Sequence, residues 1–131
     1  INGLITSSAS KIVSLGTIIT ENITAKSSGG SKINISVEAD AIKLESETGS
    51  SIEANGKALK LETHASSGSK IDAENLMTNE IFASTESGSK TSVYPILKLD
   101  AKASSGSRIS YHKIPKTLSK EESSGGSVTE E

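Results

Sequence analysis

A serine-glycine motif that returns at regular intervals limits what this chain can fold into more than any other feature. Its clearest copy is the stretch Ser66 to Ile71, which reads SSGSKI. Seven copies follow one another at spacings of 18 to 21 residues, centred on Ala9, Gly30, Gly49, Gly68, Gly88, Gly106 and Gly125. Such a period is typical of repeat architectures, in which each repeat is one structural unit stacked on the next. The sequence therefore predicts a solenoid.

Aligning the repeats on the central motif residue reveals four mostly apolar columns at the even spacing of an inward strand face. Three residues after the centre stand Ile12, Ile33, Ile52, Ile71, Thr91, Ile109 and Val128, and five after it Ser14, Ile35, Ala54, Ala73, Val93 and Tyr111. Seven before it stand Ile23, Ile42, Leu61, Ile81, Leu99 and Leu118, and five before it Ala25, Leu44, Thr63, Ala83 and Ala101. Each coil is thus predicted to contain a strand, a serine-glycine turn and a second strand.

The remaining segments vary in length, and we expect them to bulge from one edge of the stack, where specificity is usually located. These connections are residues 15–22, 36–41, 55–60, 74–80, 94–98 and 112–117. A short helix is the alternative over residues 74–82, because Leu76, Met77 and Ile81 have roughly helical spacing. A strand is favoured there, since Ile81 already occupies a position in an inward column.

The predicted fold is an all-β, single-stranded, right-handed parallel β-helix with about 19–20 residues per coil and six to seven coils. We expect one domain over residues 1–131, with residues 122–131 as the last partial coil and tail. In the first coil Asn2 and Leu4 form an incomplete strand, whose open edge invites pairing with another chain. At the other end Tyr111, Pro115 and Leu118 are expected to plug the last coil, and Glu130-Glu131 to fray.

Composition narrows the functional classes. The apolar fraction is only 33%, which suits the thin core of a solenoid, and the regular columns argue against disorder. There is no cysteine, hence no disulfide or thiolate metal site, and no apolar run long enough to span a membrane. The formal net charge of -2 argues against nucleic acid. Because the first residue is Ile1, we expect any signal peptide or lipid anchor to lie upstream.

The repeats together with the ending Tyr111 to Pro115, which reads YHKIP, and the following Ser123 to Val128, which reads SSGGSV, resemble a known family. This is the putative auto-transporter adhesin, head GIN domain family of Bacteroidetes envelopes. The resemblance implies a parallel β-helix that is exported or lipid-anchored, without established catalytic or binding residues. Lys113 departs from the family pattern, which often has glycine there. Family domains usually carry a further β-rich part upstream, which this chain is expected to lack.

One outward column is mostly cationic. Two residues after each motif centre stand Lys11, Lys32, Ser51, Lys70, Lys90 and Arg108. We name its charged members, Lys11, Lys32, Lys70, Lys90 and Arg108, the basic column. Two interpretations are open: a solvated face whose charges are interleaved with Glu47, Glu53, Asp72 and Glu86, or a contact with an anionic glycan or cell-wall polymer.

Catalytic and metal chemistry find weaker support. Glu53 and Asp72 fall on neighbouring coils, with Asn55 and Glu74 two positions further on, an arrangement that admits a polysaccharide-degrading carboxyl pair or a cation site. Salt bridges to Lys70 are the simpler explanation of these acids. No catalytic arginine or histidine falls in register with them.

The other polar and aromatic groups favour neither catalysis nor lectin-type binding. His64 and His112 occupy different columns, with no carboxylate expected beside either. The serines lack a Gly-x-Ser-x-Gly elbow, so turn chemistry accounts for them. Phe82 and Tyr94 are expected to face outward, but two scattered rings make a poor surface for stacking sugars.

The sequence therefore favours a non-catalytic structural or adhesion-type binding module of the cell envelope that requires no cofactor. Its expected partners are surface polysaccharides or another envelope protein, and self-association is expected end to end or through the open edge. The alternative is a fragment of a polysaccharide-degrading β-helix enzyme. A small-molecule carrier is a third hypothesis, weakened because side chains would fill the coil.

Overall fold

In the computed structural model, which describes residues 3–6 and 11–130, the chain is a right-handed parallel β-solenoid of about six turns. The strands are β1 Gly3–Thr6, β2 Lys11–Ser27, β3 Lys32–Ser46, β4 Ser51–Ala65, β5 Lys70–Thr85, β6 Lys90–Ala103, β7 Arg108–Tyr111, β8 Thr117–Glu122 and β9 Ser127–Glu130. Their order in the sheet is β1-β2-β3-β4-β5-β6-β7-β9, and β8 pairs with β6. The predicted fold class is confirmed. Asn2, Ala9 and Glu131, and the side chains of Leu4, Ile12 and Ser14, lie outside the described part.

Three of the four inward columns lie in register through the described strands, as predicted, whereas the column five residues after the motif centre is interrupted by register shifts at Ser14/Ile35 and at Ala54/Ala73. Ile33 pairs with Ile52 and Ile52 with Ile71, and all three are at most 1% exposed. The column that starts at Ile23 continues through Ile42 and on to Leu118, one residue per coil. Because adjacent coils place apolar side chains directly above one another, the core is a narrow continuous strip along the solenoid axis.

Most of the predicted connections are not loops that bulge from one edge but continue the strands, so for them this prediction is wrong; residues 112–116, between β7 and β8, do lie outside the strands. Residues 17–20 pair with 36–39, residues 36–39 pair with 55–58, and residues 55–58 pair with 75–78. Just before the last of these pairings, the register shifts by one residue at Ala54 and Ala73. Val37 and Leu76, both fully buried, anchor this further β face to the core. The helix alternative over residues 74–82 is not observed, since these residues belong to β5. The differences in length appear as register shifts within the strands.

The serine-glycine turns place two consecutive residues in the left-handed region. In the clearest copy Ser67 has φ of 57° and Gly68 has φ of 75°, and glycine accepts this conformation without a steric penalty. The serine that follows is buried in five turns, at Ser31, Ser50, Ser69, Ser89 and Ser107. Ser69 Oγ accepts a hydrogen bond from Ser66 N at 3.0 Å and donates to Ser46 O of the preceding coil at 2.6 Å. This serine therefore closes its own turn and joins it to the turn before.

Ser69→Ala tests that role. The substitution removes both hydrogen bonds of the buried hydroxyl, whereas Ser66 N and Ser46 O keep the hydrogen bond to each other at 3.0 Å, so we expect the free energy of unfolding to fall by about 1–2 kcal/mol. Urea denaturation measures the change. Ser119→Ala, at an exposed position of β8, is the matched control and should change stability by less than about 0.5 kcal/mol. Equal stability of the two variants would contradict a structural role for the motif serine.

One exception in the inward columns has a local explanation. Thr91 stands where most coils have isoleucine, and its hydroxyl is fully buried. Its Oγ1 lies 2.7 Å from Oγ1 of Thr85, which is also buried. The two hydroxyl groups form a hydrogen bond with each other, so this coil has a buried hydrogen bond where the other coils have an apolar contact.

The two ends of the stack differ. Leu4 lies opposite Ala25, as the sequence predicted, and within the described chain β1 pairs only with β2. At the other end Tyr111 is 5% exposed, Pro115 is buried, and Leu118 packs against the core, as expected of a plug. Glu130 was expected to fray but pairs with Tyr111, because the ladder of β7 and β9 continues to that point.

Candidate functional site

The basic column forms a straight row on the outer face of the solenoid. Lys11 pairs with Lys32, and Ser51 separates Lys32 from an uninterrupted run of Lys70, Lys90 and Arg108 on successive coils. All five basic side chains are exposed. They point outward because the residues on either side of each, such as the buried Ser69 and Ile71 around Lys70, point inward.

Within the described part of the chain, no carboxylate pairs with this row. Among residues 3–6 and 11–130, no acidic oxygen lies within 4.0 Å of a charged nitrogen of the basic column. The expected salt bridges from Lys70 to Glu53 and Asp72 are not formed. Glu86, another expected neighbour, is 3.9 Å from His64 instead. Neighbouring like charges about 4.8 Å apart therefore repel by up to about 1 kcal/mol in water.

Two other lysines, by contrast, are neutralised by a carboxylate. Lys26 lies four residues before its motif centre and Lys43 lies six residues before the next one. Lys26 and Lys43 each place Nζ 3.4 Å from a carboxyl oxygen of Glu45. Burial raises the pKa of Glu45, but the two ammonium groups together outweigh it, so the pKa lies below its usual value of 4.5. Lys26 and Glu45 lie on adjacent coils, so this scaffold allows ion pairs between coils. The basic column has no such ion pair among the described residues.

The acids proposed for catalysis or cation binding are only partly brought together. Glu53 and Asp72 do lie opposite each other. Asn55, however, pairs with Asn75, because an extra residue in β5 moves Glu74 out of the expected position. Asp72 Oδ1 accepts a hydrogen bond from Glu74 N at 3.3 Å and so supports this bulge. The described residues contain no cluster of three or more His, Cys, Asp or Glu side chains suited to a metal ion.

The histidines have carboxylate neighbours that the sequence did not predict. His112 Nε2 lies 3.1 Å from Glu74 Oε2, and His64 Nε2 lies 3.9 Å from Glu86 Oε1. The expectation of no carboxylate beside either histidine is therefore wrong, in the first case because the bulge in β5 turns Glu74 towards His112. His112 Nε2 is buried and forms no hydrogen bond with that carboxylate.

The two outward aromatics lie on different faces. Phe82, 42% exposed, pairs with Glu62 and Asp100, whereas the half-buried Tyr94 pairs with Met77. Their separation confirms that they form no shared stacking surface.

Two grooves run beside these columns and were missed by the sequence reasoning. One, of about 440 Å³, has Phe82 in its wall. The other, of about 700 Å³, is bordered by the exposed apolar residues Ile19, Leu59 and Met77. Column spacing shows which side chains point inward, but not how the outer surface curves between columns.

The described residues contain no helix with the length and apolar character of a membrane span. The geometry defines a repeat protein with an extended β surface.

Comparison with protein families then identifies the chain. It belongs to the family described as putative auto-transporter adhesin, head GIN domain, whose model matches residues 1–115. The structure of a putative adhesin from Bacteroides fragilis is similar, with a TM-score of 0.90 and 20% sequence identity. The match covers 100% of this chain and 61% of that chain, and at this identity the likeness shows the fold alone. No curated protein matches the chain significantly. The family name supports an adhesion-type module at the cell surface.

Proposed function

We propose that the protein is a non-catalytic adhesion-type module, exported to the cell envelope, whose basic column binds an anionic surface polysaccharide. The observation that carries the proposal is the run of Lys70, Lys90 and Arg108, which are exposed on successive coils and have no ion pair among the described residues. Neighbouring unpaired cations in the row repel each other, and a linear polyanion bound along the row would reduce that repulsion at every position.

The rigid spacing of the row favours a polymer over a single small anion. Parallel pairing fixes the coils about 4.8 Å apart, so the charges do not need to be ordered when the ligand binds. Each contact is exposed and contributes little alone, and the affinity arises from several contacts made together. Another envelope protein with a regular acidic face would meet the same geometry.

The absence of catalysis is part of the proposal. Asp72 supports the bulge in β5, and Glu74 faces His112 rather than Asn55. The competing function, polysaccharide cleavage, predicts new reducing ends when envelope glycans are incubated with the protein. Release of products that depends on Glu53 or Asp72 would establish the enzyme and contradict the proposal.

The double variant Lys70→Ser, Lys90→Ser tests the binding face. Serine already occupies this column at Ser51, so the melting temperature should stay nearly unchanged. We expect binding to polygalacturonate or dextran sulfate to weaken about tenfold. Affinity of the unaltered protein should also fall with added salt, because exposed charges are screened within about 8 Å at physiological ionic strength. Biolayer interferometry with the immobilised polymers measures both effects.

The control removes the same charge elsewhere, at the exposed Lys57 and Lys116. Lys57→Ser, Lys116→Ser should bind within about twofold of the unaltered protein if position rather than net charge matters. Equal binding by both double variants would eliminate the basic column as the site. Pull-downs from envelope and host-matrix extracts with the same variants extend the test to protein partners. Self-association through the edge of β1 or end to end stays a prediction, which sedimentation at increasing concentration would reveal.

A further inference from the structure

We infer that a groove along the solenoid axis is a second binding site, separate from the basic column, for an uncharged linear glycan. This axial groove, of about 440 Å³, crosses five coils from Asn22 in β2 to Lys98 in β6. The basic column contributes no residue to it. The inference does not depend on the function proposed for that column.

The shape of the axial groove suits an extended chain. Its floor is the column Ile23, Ile42, Leu61 and Ile81, whose side chains are buried, so the floor offers mainly backbone. Its walls are the residues on either side of that column, which point outward on each coil. The result is an open, straight channel parallel to the stack, rather than an enclosed pocket for a small molecule.

The charges in the walls favour an uncharged ligand. Lys60, Glu80 and Lys98 follow one another on successive coils along one wall. The other wall carries Lys43, Glu62 and Asp100. The walls thus carry three cations and three anions, and a polyanion attracted to the lysines would also meet the carboxylates.

These wall groups are also available to a ligand. Of the six charged side chains, only Lys43 forms an ion pair within the described chain, with Glu45. Sugar hydroxyls both donate and accept hydrogen bonds, so one uncharged chain can satisfy the ammonium groups and the carboxylates.

Phe82 supplies an apolar contact in the same wall. Its ring is 42% exposed and stands between Glu62 and Asp100, where polar groups flank it on both neighbouring coils. Lys102 Nζ lies over one face of the ring, 5.8 Å from its centroid, in a cation–π contact. An aromatic face bordered by charged groups matches a sugar ring, which has apolar C–H faces and a polar rim.

The repeat distance favours a glycan over an extended peptide. Coils follow one another at about 4.8 Å, whereas a peptide in β conformation advances about 3.3 Å per residue and falls out of step with the wall groups. A pyranose unit in an extended glycan advances the chain by nearly the coil spacing. One sugar can therefore face each coil of the groove.

Titration of the isotope-labelled protein with cellohexaose, chitohexaose, maltohexaose and mannohexaose, followed by NMR, tests the inference. We expect at least one hexasaccharide to shift the backbone amides of residues 22–24, 41–43, 60–62, 80–82 and 98–100, with little change on raising the salt concentration. Phe82→Ala should weaken that binding about tenfold. Tyr94→Ala removes the aromatic ring from another face and should leave the affinity unchanged.

Three results would overturn the inference: no hexasaccharide shifts the groove amides, Phe82→Ala binds as tightly as the unaltered protein, or an extended polyserine peptide occupies the groove in preference to every sugar. The Lys70→Ser, Lys90→Ser variant separates the two sites. It should bind the hexasaccharide normally while losing affinity for polygalacturonate, so either site can fail without the other.

Discussion

Replacing Ile71 with aspartate is expected to unfold the protein. Ile71 is fully buried and lies in register between Ile52 and Thr91, at the centre of the stack. None of the described buried residues is a cation that could pair with a carboxylate there. Burying an unpaired charge costs several kcal/mol, a large part of the 5–15 kcal/mol by which a typical domain is stable. The β-sheet circular dichroism signal and the cooperative thermal transition should both be lost at neutral pH.

The neighbouring residue provides the control for that experiment. Lys70 is exposed on the opposite face of the same strand, so Lys70→Asp should leave the thermal transition within a few degrees of that of the unaltered protein. A cooperative transition at the normal temperature for Ile71→Asp would contradict the assignment of this column to the core.

The inward columns were predictable because the motif glycine supplies a reference point in every repeat. Once Gly49 and Gly68 are aligned, the equivalence of Ile52 and Ile71 follows from counting, and the structure pairs them. Alternation then shows which neighbours point inward, since side-chain direction in a strand has a period of two. These local rules were sufficient for the fold class and the core.

The segments between the columns were not predictable in the same way, because their lengths differ. β2 has three residues between Val13 and Thr17 where β3 has only Ile35 between Asn34 and Ser36. Unequal lengths suggest loops, yet the structure confines the difference to a register shift and continues the pairing. The buried Val37 was the available signal, but a single apolar residue in a short polar segment is weak evidence for a strand.

In the candidate site, too, some features were predictable from the sequence and others were not. The row of Lys70, Lys90 and Arg108 follows directly from the register and was predicted. Its lack of ion pairs was not predicted, because whether Glu53 or Asp72 turns towards Lys70 depends on side-chain conformation. The contact of Glu74 with His112 depends on the bulge in β5, and the axial groove depends on the curvature of the coil. Neither property can be obtained by counting residues.

At Gly56, as at Gly126, the backbone of the neighbouring coil leaves no room for a side chain. Gly56 has φ of 128°, a conformation that residues with a Cβ rarely adopt. It pairs with Val37 on one side and Leu76 on the other, next to the register shift in β4 and β5. A Cβ added to Gly56 would overlap the carbonyl oxygen of Val37. Since that oxygen belongs to the neighbouring strand, relief requires the two coils to move apart.

Gly56→Ala is therefore expected to lower the free energy of unfolding by about 2–5 kcal/mol, from backbone strain together with overpacking against Val37. Urea denaturation of the purified variant measures the loss. Gly16→Ala is the matched control: no described atom lies within 4 Å of its added Cβ, and its φ is not positive, so its stability should be unchanged or slightly raised. Similar stabilities for the two variants would show that β3 and β4 can separate at Gly56 without cost, contrary to the continuous pairing from which the solenoid derives its rigidity.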